Sequence, residues 1–258
     1  QIFFKFYGGF YRSMLPLFTG ILVQDFTSKT LISPLLKHAH LAISGDTRFD
    51  RVLDNLKNPI SWDLLTDFIN NSEFMVVGSA WQADMDVLIP IINSKKYPFK
   101  WVIAPHEIHA EELKSWEDKI DLTVSYSKGP VRENADVLFV NEVGRLANLY
   151  RGASFAYIGG AFGDGLHNTL EAAVFGPTVF FGNKNYQKFK EARDLIELGL
   201  AFPISNSAEL DQAMRVIYED DQNFVNKQVQ SRTFVQLQAG ATERIMEFVR
   251  NLGVDGRK

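Results

Sequence analysis

The sequence has no cysteine, which rules out disulfide cross-links, thiolate metal sites and cysteine nucleophiles. It has no apolar run of the roughly 20 residues a helix needs to span a bilayer. It has no surplus of basic charge either: 27 Lys and Arg stand against 31 Asp and Glu, scattered rather than striped, for a net charge of -4. Without a basic field to attract phosphate backbones, no nucleic-acid partner is expected. Internal repeats and low-complexity tracts are missing, and nothing in the composition calls for a cofactor. Position 1 is Gln rather than Met, and the basic–apolar–small order of a signal peptide does not follow it. The chain is therefore expected to begin inside a larger protein. What is present is an ordinary globular composition, 46% hydrophobic and 22% charged over 258 residues, sufficient for one large domain or two modest ones.

From residue 74 onward, short β-rich apolar runs alternate with segments of helical spacing. The runs are FMVV at 74–77, WVIA at 101–104, LTVS at 122–125, VLFV at 137–140, FAYI at 155–158, TVFF at 178–181 and AFPI at 201–204. They are nearly continuous in apolar character, which suits strands covered on both faces. Between them, Val87 and Ile91, Leu113 and Trp116, and Ala192, Leu195 and Leu198 keep helical spacing, with stop signals at Gly176-Pro177 and Gly199. This alternation predicts an α/β fold with a doubly wound parallel sheet. After residue 204 the pattern is helical. Asn206 and Glu209 have capping-box spacing, and further helices are expected over 222–238 and 242–252.

The first 60 residues read differently. Residues 2–18 place Phe3, Phe6, Tyr7, Phe10, Tyr11, Met14, Leu17 and Phe18 largely on one helical face, despite Gly8-Gly9. A strand at 21–23, a helix at 27–36 and a strand at 41–44 follow, reading as the last strand–helix units of a sheet. Residues 57–59 make a hinge.

The segment that points to chemistry is YIGGAFGDGLHNTLE at 157–171. A buried strand runs into four glycines within seven positions, and a helix is expected to open beyond them. Glycine lets a backbone approach a ligand closely and adopt positive φ, and the first N–H groups of a helix suit an anion. Ligands of doubly wound sheets bind beyond the carboxyl ends of the strands, where this loop lies. Asn168 and Glu171, three apart, share a helix face. A capped helix after a tight turn is the plainer reading of the glycines; His167, Asn168 and Glu171 together favour a site.

Gly159-Gly160-Ala161-Phe162 followed by His167-Asn168-x-Leu170-Glu171-x-Ala173-x-Phe175-Gly176 resembles the signature of the 3-deoxy-D-manno-octulosonic acid (Kdo) transferases. The similarity continues through Phe181-Gly182 and Phe189-x-Glu191-Ala192. Upstream, Gly78-Ser79-Ala80-Trp81 with Asp84, Ala104-Pro105-His106-Glu107, and Gly45-Asp46-Thr47-Arg48-Phe49-Asp50 also resemble family segments, in order along the chain. Ala161, Leu166, Ala172-Ala173 and residues 141–144 depart from the usual family residues.

The resemblance implies a GT-B fold, in which two Rossmann-like domains face a cleft and the C-terminal one holds most of the donor. It divides the chain into the end of an N-terminal, acceptor-side domain (1–56), a linker and connecting helix (57–72), a donor-nucleotide domain (73–220) and C-terminal helices packing back across the domains (221–258). It implies CMP-Kdo as donor, a lipid A precursor as acceptor, and work at the cytoplasmic face of the inner membrane. On this reading Gly159, Gly160, Ala161, Phe162 and the helix start hold the donor phosphate, with His167 beside them. Asn168 bonds the phosphate or the Kdo carboxylate, and Glu171 grips the ribose. Pro105, His106, Glu107, Gly78, Ser79 and Trp81 line the same cleft, although Trp81 can also be read as a core aromatic. The family's general base is a Glu on a glycine-rich loop expected upstream of Gln1, so no catalytic residue is assigned within the chain and no transfer is expected from it alone.

Other signals are discounted. Asp84-Met85-Asp86 matches the D-x-D of metal-dependent transferases, but acids at a helix start complement its dipole, so both are expected on the solvated surface. His106 and His109 lack the i, i+4 spacing of a metal-binding pair, and no metal is expected. His38 and His40 read as structural. The aromatic face at Phe3, Phe6, Tyr7 and Phe10 either packs on the rest of its sheet or sits near the membrane. The competing functional readings are a GT-B enzyme using a UDP-sugar, whether transferase or 2-epimerase, and a non-catalytic nucleotide-sugar-binding module.

Overall fold

The computed structural model describes residues 4–36, 40–58, 60–129 and 132–252. Gln1, Phe3 and His38, and positions 2, 59 and 253–258 of the expected segments, lie outside the described residues. In chain order the first elements are α1 (Gly9–Met14), β1 (Gly20–Val23), α2 (Phe26–Ile32), β2 (His40–Ile43), α3 (Thr47–Lys57) and α4 (Asp63–Ile69). Then come β3 (Phe74–Ala80), α5 (Gln82–Ser94), β4 (Lys100–Pro105), α6 (Ala110–Glu117), β5 (Val124–Tyr126), β6 (Val137–Phe139), α7 (Leu146–Leu149) and β7 (Phe155–Ile158). The chain closes with α8 (Leu170–Ala173), β8 (Thr178–Gly182), α9 (Lys190–Glu197), β9 (Ala201–Ile204), α10 (Ser207–Tyr218), α11 (Asp221–Gln238) and α12 (Ala241–Asn251). Two compact units result, one of Gln1–Leu53 with Gln236–Lys258 and the other of Asp54–Val235.

In the first unit β1 and β2 pair in parallel, Gly20 opposite His40. The Asp25 carboxylate caps α2 by accepting the Ser28 N–H at 2.6 Å. Asp50, in the segment that resembles a family motif, accepts the N–H groups of Gly240 and Thr242 at 2.5 and 2.6 Å and so holds the start of α12. The long N-terminal helix expected over residues 2–18 is replaced by the shorter α1. Gly8 sits at φ -80°, ψ 15°, outside helical geometry, and α1 begins only after it; glycine's flexibility makes an uninterrupted helix costly there. Phe6 and Phe10 are left 93% and 73% exposed. Among the described residues no helix is long and apolar enough to cross a membrane.

The second unit is built on a seven-stranded parallel sheet in the order β5-β6-β4-β3-β7-β8-β9. Each expected apolar run meets one of these strands, although β5 takes only the second half of the run expected at 122–125. Their side chains are covered on both faces: Val76, Val102, Phe155, Tyr157, Phe180 and Phe181 are fully buried, each such burial contributing about 1.5–3 kcal/mol for an aliphatic or Phe side chain. α5 adds Met85, Leu88 and Ile92, and α10 adds Leu210 and Met214, to one continuous core. The Asn206 side chain caps α10 through the Glu209 N–H at 3.0 Å. Glu209 does not close the expected capping box on Asn206. Its carboxylate reaches one residue further back, to the Ser205 N–H at 2.7 Å.

The strand order places the site. From β3 the chain moves outward through β4 to β5 and β6, then returns across the sheet to β7 on the other side of β3. The carboxyl ends of β3 and β7 therefore flank a topological switch point, where the loops leaving adjacent strands diverge and leave a crevice. The Gly78–Trp81 and Gly159–Glu171 segments leave from those two ends.

Candidate functional site

β3 ends irregularly. Its pairing with β4 shifts register between Gly78 and Ala80, and Ser79 takes a left-handed φ of 53°. Gly78 is compulsory here, since a Cβ on it would lie 1.8 Å from the Tyr150 hydroxyl oxygen. The kink delivers Trp81 to the start of α5 with the residue 36% exposed. Trp81 is thus a surface aromatic of the crevice and not a core residue. Its indole stacks on His106, the first residue beyond β4, with ring centroids 4.3 Å apart and planes 24° apart. His106 in turn stacks on His167 of the glycine-rich loop at 4.5 Å and 29°. The Trp81 Nε1–H closes the group by donating to His167 Nε2 at 3.3 Å. Three strands thereby contribute one ring each to a single stack. Burial, with a smaller contribution from His106, holds the His167 imidazole below the usual histidine range, which agrees with an unprotonated Nε2 accepting the indole N–H.

The glycine-rich loop is strapped down rather than open. The Gly159 N–H donates to Gly78 O at 2.9 Å, those of Gly163 and Gly165 to Gly160 O at 3.0 and 3.2 Å, and that of His167 to Gly159 O at 3.2 Å. Asn185 adds a strap from the next loop, its N–H donating to Ala161 O at 2.8 Å and its side-chain amide to Gly163 O at 2.5 Å. The helix expected to open directly after the glycines is displaced and short: α8 is a single turn beginning at Leu170. A one-turn helix sums few peptide dipoles, so the expected helix-end contribution to anion binding is small. Among the described residues of this segment the amides of Ala161, Phe162, Asp164, Asn168 and Thr169 donate to no protein acceptor, whereas those of Gly159, Gly160, Gly163 and Gly165 are engaged.

Asp84 overturns its sequence reading. It is fully buried, not solvated. One carboxylate oxygen, Oδ2, accepts both the Trp81 N–H and the Gly160 N–H at 3.0 Å; the other, Oδ1, accepts the Tyr157 hydroxyl at 2.9 Å. Burial pushes its pKa up, opposed by these three bonds, and Tyr157 is likewise raised by burial and by the facing carboxylate. Asp86, by contrast, is exposed and bonded to the Gln82 side chain at 2.6 Å. A helix start with acids at both positions looks the same in sequence whether they face water or the next strand. The usable clue was the three-residue spacing from Trp81, which lets an acid reach back to the N–H of the residue before the helix.

Trp81, His106, Gly160, Phe162 and His167 line one cavity of about 660 Å³, within the range of small-molecule sites. Lys188 and Phe189, which the sequence did not single out as site residues, line it too. The remaining expected residues lie around or behind this cavity. Gly78 and Gly159 do not line it and pack against each other's strands, where a Cβ on Gly159 would fall 2.1 Å from Ser79 O. Ala161 is buried, and Pro105 closes β4. Glu107 is exposed, within 2.8 Å of the His109 ring, and is not among the lining residues. Asn168 and Glu171 hold each other at 3.2 Å, and Asn168 Oδ1 also caps the Leu170 N–H. A second cavity, about 620 Å³, lies around Phe68, Lys100 and Arg132 near the amino end of β4. It is remote from the switch point, and its lysine is already engaged by Ala135 O and Asp136.

No protein-family model matches the chain. The 3-deoxy-D-manno-octulosonic acid transferase of Rickettsia bellii strain RML369-C is 27% identical over 241 residues, covering 88% of this chain and 56% of that protein. The transferase of the same name from Chlamydophila psittaci is 25% identical over 186 residues, covering 70% of this chain and 43% of that protein. The chain thus spans about half the length of these curated relatives. Among solved structures, the C-terminal CMP-Kdo binding domain of WaaA from Acinetobacter baumannii matches with a TM-score of 0.57 at 15% identity, over 75% of this chain and all of that one. Anabaena HepE in complex with UDP matches with a TM-score of 0.57 at 12% identity, over 93% of this chain and 65% of that one. The chain is therefore similar in sequence to Kdo transferases along most of its length, and it has the parallel α/β fold of the GT-B glycosyltransferases.

Proposed function

We propose that this chain is the donor-binding part of a Kdo transferase, which takes CMP-Kdo as donor and a lipid A precursor as acceptor. The observation that carries the reading is the convergence of Trp81, His106, Gly160, Phe162 and His167, drawn from three separate family-like segments, on one cavity at the switch point. The names of the relatives support the same reaction class. On this reading the amides of Phe162 and Asn168 meet the donor phosphate, Glu171 takes the ribose, and the ring stack forms a wall for the base or sugar. Stabilising the departing nucleotide is work that fixed N–H donors can do, because charge develops on the phosphate as the glycosidic bond breaks. Deprotonating the acceptor hydroxyl needs a carboxylate base, which we assign to residues outside this chain. The division into an acceptor-side part (1–56) and a donor part (73–220) belongs to the same proposal.

Thermal-shift titration with CMP, CDP, UMP and UDP tests it. The expected result is stabilisation by the cytidine nucleotides. A clear preference for UDP would transfer the assignment to a UDP-sugar enzyme. A transfer assay with the chain alone is expected to give no turnover, and robust turnover would place the base within it. Work at the cytoplasmic face of the inner membrane is part of the reading, and the exposed Phe6 and Phe10 suit an interfacial contact. Liposome flotation of the chain and of its longer relatives is expected to recover both, and loss of both from the floating fraction removes the membrane contact.

A further inference from the structure

We infer that Asp84 is a positioning residue: its buried carboxylate ties the loop after β3 to the glycine-rich loop after β7 and sets the spacing of the two cavity walls. One oxygen is shared between the amides of Trp81 and Gly160, 79 positions apart in the chain, at the same distance of 3.0 Å. The other is held by Tyr157 from within β7. The carboxylate is fully buried, so water cannot substitute for it, and losing the acceptor would leave two amides and a hydroxyl unsatisfied inside the protein. Both amides belong to residues that line the cavity. The Trp81 backbone aims the indole at His106 and His167, and Gly160 opens the segment that carries Phe162. The neighbouring backbone is shaped to admit this carboxylate. A Cβ on Gly159 would lie 2.7 Å from Asp84 Oδ2, and Ser79 turns through a left-handed conformation to let the loop pass. Asp84 borders the same cavity, but both of its oxygens are taken by these three protein donors, the two amides and the Tyr157 hydroxyl. It acts through Trp81 and Gly160.

The ligand-binding part of the test rests on the donor reading above, so two readouts are used. The first is CMP affinity by calorimetry. Asp84→Leu, similar in bulk but with no acceptor, is expected to lose about tenfold or more. Asp84→Asn can turn its oxygen to the two amides and its NH2 to the Tyr157 oxygen, and is expected to restore affinity to within about threefold of wild type. Tyr157→Phe leaves the amide bonds intact and is expected to bind within about twofold. Met214→Ala, a core cavity on the far helix α10, controls for stability. It is expected to lower Tm while leaving affinity unchanged, the split that Asp84→Leu would also show if its role were merely structural. The second readout is deuterium exchange of the wild-type chain without ligand, where the Trp81 and Gly160 amides are expected to be protected to a similar degree.

A folded Asp84→Leu variant that binds CMP like wild type overturns the proposal, as does free exchange of either amide. If Asp84→Leu does not fold, the Asn rescue and the exchange pattern decide. If wild type binds UDP and not CMP, the donor reading falls and the same comparison is made with UDP. If it binds neither, exchange in wild type and Asp84→Asn decides alone.

Discussion

The indole of Trp81 and the imidazole of His106, each just beyond the end of a different strand, lie face to face with their centroids 4.3 Å apart. Offset aromatic stacks of this kind contribute about 0.5–1.5 kcal/mol beyond burial, and here that energy orders a cavity wall more than it stabilises the fold. On the proposed donor reading, Trp81→Ala is expected to weaken CMP binding about tenfold while lowering Tm only slightly, because the residue is already over a third exposed. Trp81→Phe keeps a stacking ring but loses the bond to His167, and should fall between the two. Calorimetry and a thermal melt on each variant check this.

His167 gives the site a pH dependence of definite sign. Its imidazole is held below its ordinary value by burial, so the folded state favours the neutral ring. That contribution is complete above about pH 6.5, the unfolded value, and is lost as pH falls through the lower folded value. His167→Gln should flatten the fall in Tm between pH 7 and pH 5 relative to wild type. His109, whose pKa is raised by its hydrogen bond to Glu107, has the opposite sign and serves as the control through His109→Gln.

Gly78 and Tyr150 form a testable pair. Gly78→Ala pushes a methyl into the Tyr150 hydroxyl and is expected to cost about 2–3 kcal/mol in urea unfolding. Tyr150→Phe in the same chain removes the nearest atom and should recover part of that loss, leaving the clash with Leu146 and the ring. Additive single-variant costs in the double-mutant cycle would contradict the packing.

Asn206→Ala removes the side-chain cap of α10 and should cost about 1 kcal/mol. The Glu209–Ser205 bond is separate from that cap, so Glu209→Ala is expected to add a further, smaller loss rather than none. Urea unfolding of the single and double variants checks both.

The strands of the second unit were readable because a doubly covered strand must be apolar at every position, and FMVV, FAYI and TVFF leave no other reading. What escaped was any feature that depends on which side of a helix start faces protein. Asp84 and Asp86 have the same chemistry two positions apart, and only the third dimension makes one a buried acceptor and the other a surface acid. The short α8 is illegible for a related reason: the spacing of Asn168 and Glu171 reads as a helix face, whereas Asn168 caps Leu170 with its side-chain oxygen and holds Glu171 with its side-chain NH2. Lys188 carries no local pattern that announces a cavity, and Phe189 belongs to a family-like segment without being marked as a lining residue. The loop that carries them is tied to the glycine-rich loop by Asn185, a pairing 22 positions apart in the chain.

The passage of the chain from β6 across to β7 has a consequence for synthesis. The cavity takes one wall from residues 81–106 and the other from residues 160–189, and β3 remains an unpaired edge until β7 docks beside it. Distant pairings of this kind are slow to form, and a nascent chain exposes that bare edge meanwhile. The binding site is thus a late product of folding, absent from every partial chain that stops short of the second wall.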